Sequence, residues 1–154
     1  MKIMIMLSLL LTFPLSGYCA QSAEHQHHAS GHPGPSLNQG KKWASDPPLR
    51  QSMDALRIAF QTRLAAIHHN NLATAEYKKL GDTTHSAVAN IVAKCKLQPE
   101  ADAALHLIIA DMLAGADAMT GKTKGKPSAG ARKVVSALNS YGQSFDHPGW
   151  IMLK

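Results

Sequence analysis

The chain has 154 residues, with 16 Lys and Arg against 10 Asp and Glu, a formal charge of +6 with histidine neutral, nine histidines, two cysteines and 5% aromatic residues. That length holds one modest core rather than several. With so few aromatics and no basic stripe interleaved among them, a nucleic-acid partner is not expected, and two cysteines make no disulfide framework.

Residues 1–20 contain Lys2, the apolar run IMIMLSLLLTFPL and the small-residue stretch SGYCA, the three parts of a secretory signal peptide. Pro14 and Ser16 interrupt the run too soon for a stable bilayer span. The processed chain is therefore expected to be periplasmic and soluble, with no membrane partner after cleavage near Ala20 or Ser22. Tyr18 stands where a small residue must precede an acylated Cys19, so lipid anchoring is not expected. Loss of Lys2 lowers the charge to +5, 15 basic residues against 10 acidic. Loss of Cys19 leaves Cys95 without an intramolecular partner in an oxidising compartment, where it is expected either to pair between chains or to be shielded by packing, and its place on the apolar strip favours shielding.

Residues 21–45 are rich in Gly, Pro, Ser and His and nearly devoid of apolar side chains before Trp43, too few to repay the entropy of ordering, so they read as a disordered tail. Within them EHQHHASGHPG puts His25, His27, His28 and His32 into eight positions beside Glu24. Imidazole nitrogens at this density suit Cu, Ni or Zn ions, while the spacing matches no fixed zinc motif; a weakly selective chelator follows. The alternative is a merely polar leader.

From residue 46 the pattern changes. Asp46 caps, Pro47 fills the first turn, and Leu49, Met53, Leu56, Phe60, Leu64 and Ile67 recur every three or four residues, which predicts one helix as far as His69. A second helix is predicted from Thr74 to Cys95, weakened by about 1 kcal/mol at Gly81. A third runs from Pro99 to a stop at Gly121, with Glu100 and Asp102 suiting its dipole, and a fourth from Ser128 to Phe145. No stretch alternates with period two, so no strands are expected. Residues 46–154 thus read as an all-α domain, an antiparallel up-down-up-down four-helix bundle.

That topology gathers Met53, Cys95, Asp102, His106 and the DHPGW segment at the end where the tail is attached. His106, one turn after Asp102 on a strip bordering the apolar face, reads either as a core histidine oriented by that carboxylate or as a metal ligand with Asp102 fixing its tautomer. His147, after the last helix, reads as a cap or as a second ligand beside His106. Counting outward from the turn near Leu97 sets His85 against about Ile109. His68 and His69 suit the free carbonyls of a helix end. Met53, Met112 and Met119 sit at core spacing, and Trp43 and Trp150 are expected to fold over the bundle's end.

There is no Cys-x-x-Cys-His, no two helical Glu-x-x-His motifs for a di-iron bundle, no nucleophile elbow and no phosphate loop, so a non-enzymatic protein with no organic cofactor is expected; a haem held by Met53 and His147 is imaginable but crowded by two prolines and two tryptophans. LNQGKKWASDPPLRQSM, CKLQPEADAALH and LNSYGQSFDHPGW together resemble a small family of exported proteobacterial helical proteins with a histidine-bearing leader, over residues 37–151. The resemblance implies an all-α exported protein and supplies no catalytic residue. The function expected is metal binding or metal tolerance in the periplasm, with the alternative of a helical interaction or chaperone-like protein that engages an unidentified protein partner through an exposed helix face.

Overall fold

The computed structural model describes residues 35–154; the predicted signal peptide and His25, His27, His28 and His32 lie outside the described residues. Five helices build the fold: α1 (Pro47–Gln61), α2 (Leu64–His68), α3 (Thr74–Lys94), α4 (Pro99–Thr120) and α5 (Pro127–Ser144). The all-α class is as the periodicity predicts.

α1 begins where Asp46 accepts the Leu49 amide hydrogen at 2.9 Å, with Pro47 and Pro48 in a first turn that needs no further donors. It buries Leu49, Met53, Leu56 and Phe60. The single helix predicted as far as His69 is broken at Thr62 and Arg63: the Thr62 hydroxyl donates to the Ala59 carbonyl at 3.1 Å, and Arg63 leaves helical geometry at φ −119°. A side-chain bond to the preceding turn competes with the helical ladder there. The apolar stripe still continues through Leu64 and Ile67 of α2, which is why the periodicity runs through the break unmarked. Asn70 then turns the chain at φ +55°.

Gly81, a weak point for an isolated helix, is where α4 approaches: a Cβ there would stand 2.7 Å from Thr120 Cγ2 and 3.0 Å from the Ala116 carbonyl. Gly115 has the same role against α5, with the Gly130 carbonyl 2.6 Å from where its Cβ would be. The core enclosed by the helices holds Met53, Phe60, Ile91, Leu105, Met112 and Tyr141, each buried to within 1%. Burying a side chain of this size contributes on the order of 1.5–3 kcal/mol. Met53, Met112 and Met119 are thus packing residues, as their spacing suggests.

Two expectations are corrected at the chain's edges. A parallel ladder joins β1 (Trp43–Ala44) to β2 (Phe145–Asp146), Trp43 opposite Phe145, although no strand was expected. Strands of two residues have no periodicity to read. The same ladder draws the last residues assigned to the tail into the fold: Lys42 Nζ donates to the Gly142 carbonyl at 2.7 Å, and the Ser45 hydroxyl bonds the Asp146 carbonyl.

The helices meet through specific pairs. Asn90 donates to Ser52 at 2.9 Å, Arg63 to Glu76 at 2.8 Å, and the Lys96 amide to the free oxygen of Asp46 at 2.7 Å, joining α1 to α3. Lys133 reaches Asp111 at 2.7 Å between α5 and α4. Between α3 and α4, His85 meets Asp117 rather than a residue near Ile109. The connection explains the shift: Cys95 and Gln98 are extended, at ψ 144° and 149°. Gln98 must be so, because it precedes Pro99. Four residues at about 3.3 Å each carry α4's start some 13 Å onward, about nine residues of helix and close to the shift from Ile109 to Asp117.

Candidate functional site

A buried cluster of polar and aromatic side chains lies where the chain returns after α5. Pro148 ends the local run and brings His147 back against α1, with its side chain 4% exposed. Tyr141, on the last turns of α5, places its hydroxyl 2.9 Å from His147 Nδ1, and Asp54 of α1 places Oδ2 3.2 Å from Nε2. The tyrosine hydroxyl is placed to hydrogen-bond Nδ1, and a hydrogen on Nε2 to donate to the carboxylate. Both nitrogens are then engaged, and no lone pair is left for a metal. Trp150 closes the group, edge-on to Tyr141 at 4.9 Å and tilted over His147 at 5.1 Å, while the Arg57 guanidinium lies 5.8 Å over the indole. Burial pushes the Tyr141 phenol well above the ordinary tyrosine range, so it serves as a neutral donor. Chemically the arrangement is a clamp: it fastens the terminal segment to α1 and α5 and fills the space with rings. Trp43 and Trp150 both lie partly buried on the core, as expected of a cover.

His106 is placed differently from the expectation of a partly buried ring. Its side chain is 63% exposed, and Nδ1 is 2.8 Å from the Asp102 carbonyl and 3.4 Å from the Asp102 carboxylate, both on its own helix. The Asp102 partnership stands and the burial does not. The expected meeting of His106 with His147 is not made: one ring is in solvent on α4, the other is enclosed between α1 and α5. Among the described residues no three His, Cys, Asp or Glu side chains are grouped to hold a metal ion. The only ring nitrogen of this pair left open to solvent is His106 Nε2.

The other histidines divide by surroundings. His85 Nε2 meets Asp117 Oδ1 at 2.8 Å, with Lys122 Nζ 3.5 Å from the ring and 3.7 Å from the carboxylate, a charged link between α3 and the end of α4. His68 and His69 are exposed at the end of α2, as predicted of helix-terminal residues. Cys95, half-buried at the end of α3, has its thiol pushed up to about 12, first by burial and then by the Asp46 carboxylate. Such a thiol is a poor nucleophile.

Sequence reasoning missed Asp54, Tyr141 and Arg57 as neighbours of His147. One signal was available: Asp54 stands beside Met53 at the margin of α1's apolar stripe, where a carboxylate needs a partner. A groove of about 590 Å³ also lies beside Trp43, between the 38–46 segment and the start of α4, walled by Leu97 and Ala101 and edged by Lys96 and Glu100. No family model, no curated protein and no solved structure matches this chain.

Proposed function

We propose that the protein is a periplasmic metal-binding or metal-tolerance protein whose histidine segment collects a late first-row divalent ion, Cu(II), Ni(II) or Zn(II). The observation that carries the reading is the placing of His25, His27, His28 and His32 within eight residues beside Glu24, after a signal-like run. The helical domain supports it as a stable carrier rather than as the binding centre, since His147 has both nitrogens committed to Tyr141 and Asp54. His106, exposed and oriented by Asp102, serves at most as a single additional ligand.

The proposal includes the finer architecture, an antiparallel up-down-up-down four-helix bundle in which α1 and α2 form one leg. Pairings that run in opposite directions support it: Ser52 with Asn90 and Arg63 with Glu76, His85 with Asp117 and Gly81 with Thr120, Asp111 with Lys133 and Gly115 with Gly130. The resemblance to exported proteobacterial helical proteins belongs to the same reading.

The test is equilibrium dialysis of the untagged protein against Cu(II), Ni(II) and Zn(II) at neutral pH, beside a variant with all four leader histidines changed to Ala. Uptake by the first and its loss in the second is expected. No uptake by the first ends the metal reading.

A second reading, a helical interaction protein, is favoured by one observation: α4 shows solvent an apolar stripe of Ala103, Leu107, Ala110 and Ala114, with Leu107 48% exposed, while Val92 of α3 is 68% exposed. Apolar side chains aligned on an exposed helix face suit contact with another protein surface. Retention of a protein partner by wild type and its loss on Leu107→Lys separates this reading from the first.

A further inference from the structure

The basic residues are unevenly placed. Residues 63–82 and 111–133, which contribute the α2–α3 turn, the start of α3, the end of α4 and the start of α5, hold eight Lys and Arg against four Asp and Glu; the other described residues hold seven against five. They are drawn together by contacts already in place: Lys122 with Asp117 at 3.7 Å and with His85 at 3.5 Å, Arg132 with Asn70, and Gly125 packed close to Ala118. Every carboxylate at this end is occupied, Glu76 by Arg63, Asp82 by Lys78, Asp111 by Lys133 and Asp117 by His85 and Lys122. The surplus is therefore identifiable. Lys79, Lys124 and Lys126 are exposed and make no ion pair among the described residues, and Arg132 is held only by the Asn70 amide. Lys124 and Lys126 stand in a loop, Gly121 to Lys126, whose six residues are all exposed.

From this we infer that the lysine-bearing end of the helical domain docks reversibly on an anionic phospholipid surface. Single-sign charge on a protruding loop matches a field of headgroup phosphates. At such a surface lysine and arginine count alike, because the long-range field acts on their charge rather than on a fixed hydrogen-bond geometry. The loop offers no aromatic ring on which a base could stack, which sets nucleic acid aside. Each unpaired lysine near such a surface is worth about a fivefold change in partitioning, and the contact weakens steeply as salt shortens the screening length.

The experiment is co-sedimentation with vesicles of phosphatidylcholine, and of phosphatidylcholine with about one third phosphatidylglycerol, at about pH 8, where ordinary histidines are neutral. The neutral vesicles subtract any binding through the apolar N-terminal run. Preferential uptake by anionic vesicles is expected, falling about a hundredfold in the variant Lys79→Gln, Lys124→Gln, Lys126→Gln and restored when the same three lysines are changed to Arg. Equal uptake on both vesicles overturns the inference, as does a triple Gln variant that binds like wild type. Tighter capture by duplex DNA than by anionic vesicles at the same salt overturns the assignment to lipid.

Discussion

The Tyr141 hydroxyl lies 2.9 Å from His147 Nδ1, and the two residues are both buried, six positions apart across the end of α5. Their bond turns the terminal segment back on the helix it has just left. Asp54 then extends the chain of bonds to α1, so three parts of the sequence are joined by one imidazole. A ring with both nitrogens so engaged is a fastening, and it shifts the metal question to other histidines.

His147→Ala is expected to destabilise the fold by about 1–3 kcal/mol, because it strands the buried Tyr141 hydroxyl and removes packing beneath Trp150. Urea denaturation followed by tryptophan fluorescence measures the loss. Metal uptake is expected to be unchanged; a variant that folds normally yet loses a bound metal equivalent makes His147 a ligand after all.

Helix positions were readable because their signals are local: Asp46 with two prolines, Pro99, and the left-handed Gly121 at φ +79° each mark an end within a few residues. What was misread depends on geometry that periodicity does not carry. The break at Thr62 leaves the apolar stripe intact. The extended Cys95–Gln98 link moves His85 from Ile109 to Asp117. His106 reads as bordering the core because Ile109 and Leu113 follow it on one strip, whereas the structure turns the His106 and Asp102 part of that strip to solvent. The His147 clamp was half legible: the return of the chain at DHPGW could be seen, but not that Asp54 and Tyr141 would take both ring nitrogens.

Gly115→Ala tests the close passage of α4 and α5. Alanine is the better helix former by about 1 kcal/mol, yet its Cβ falls 2.6 Å from the Gly130 carbonyl, and forcing the helices apart costs about 1–3 kcal/mol. The net expectation is a lower Tm, by several degrees for a domain of this size. A raised Tm means that the helices can separate without loss.

Cys95 sets a dependence on alkaline pH. Its folded thiol keeps its proton to about 12, against an ordinary value near 9 in the unfolded chain, so the folded state binds more protons between the two. The contribution is complete below about pH 9 and is lost as pH rises toward 12, and Tyr141, shifted in the same direction by burial, adds to it. Stability measured from pH 8 upward is expected to fall less steeply in Cys95→Ala than in wild type. Alkylation of the native thiol at pH 8 is expected to be far slower than that of the unfolded chain; equal rates contradict the shielding.

A chain beginning at Ser36 separates the leader from the helical domain. It keeps the Trp43 indole bond to the Ser36 carbonyl at 2.7 Å, the β1–β2 ladder and the whole core, so its Tm without metal is expected to match that of the longer protein. Dialysis against Cu(II) or Zn(II) should then show most of the stoichiometry gone. What remains reports on His106, whose exposed ring and Asp102 partner provide one imidazole and no close second ligand. One nitrogen in water binds such ions weakly, so adding His106→Ala to the shortened chain is expected to change little. A tight metal equivalent that survives the truncation and disappears with His106→Ala instead places an ordered site on α4, built with neighbours that move to meet the metal.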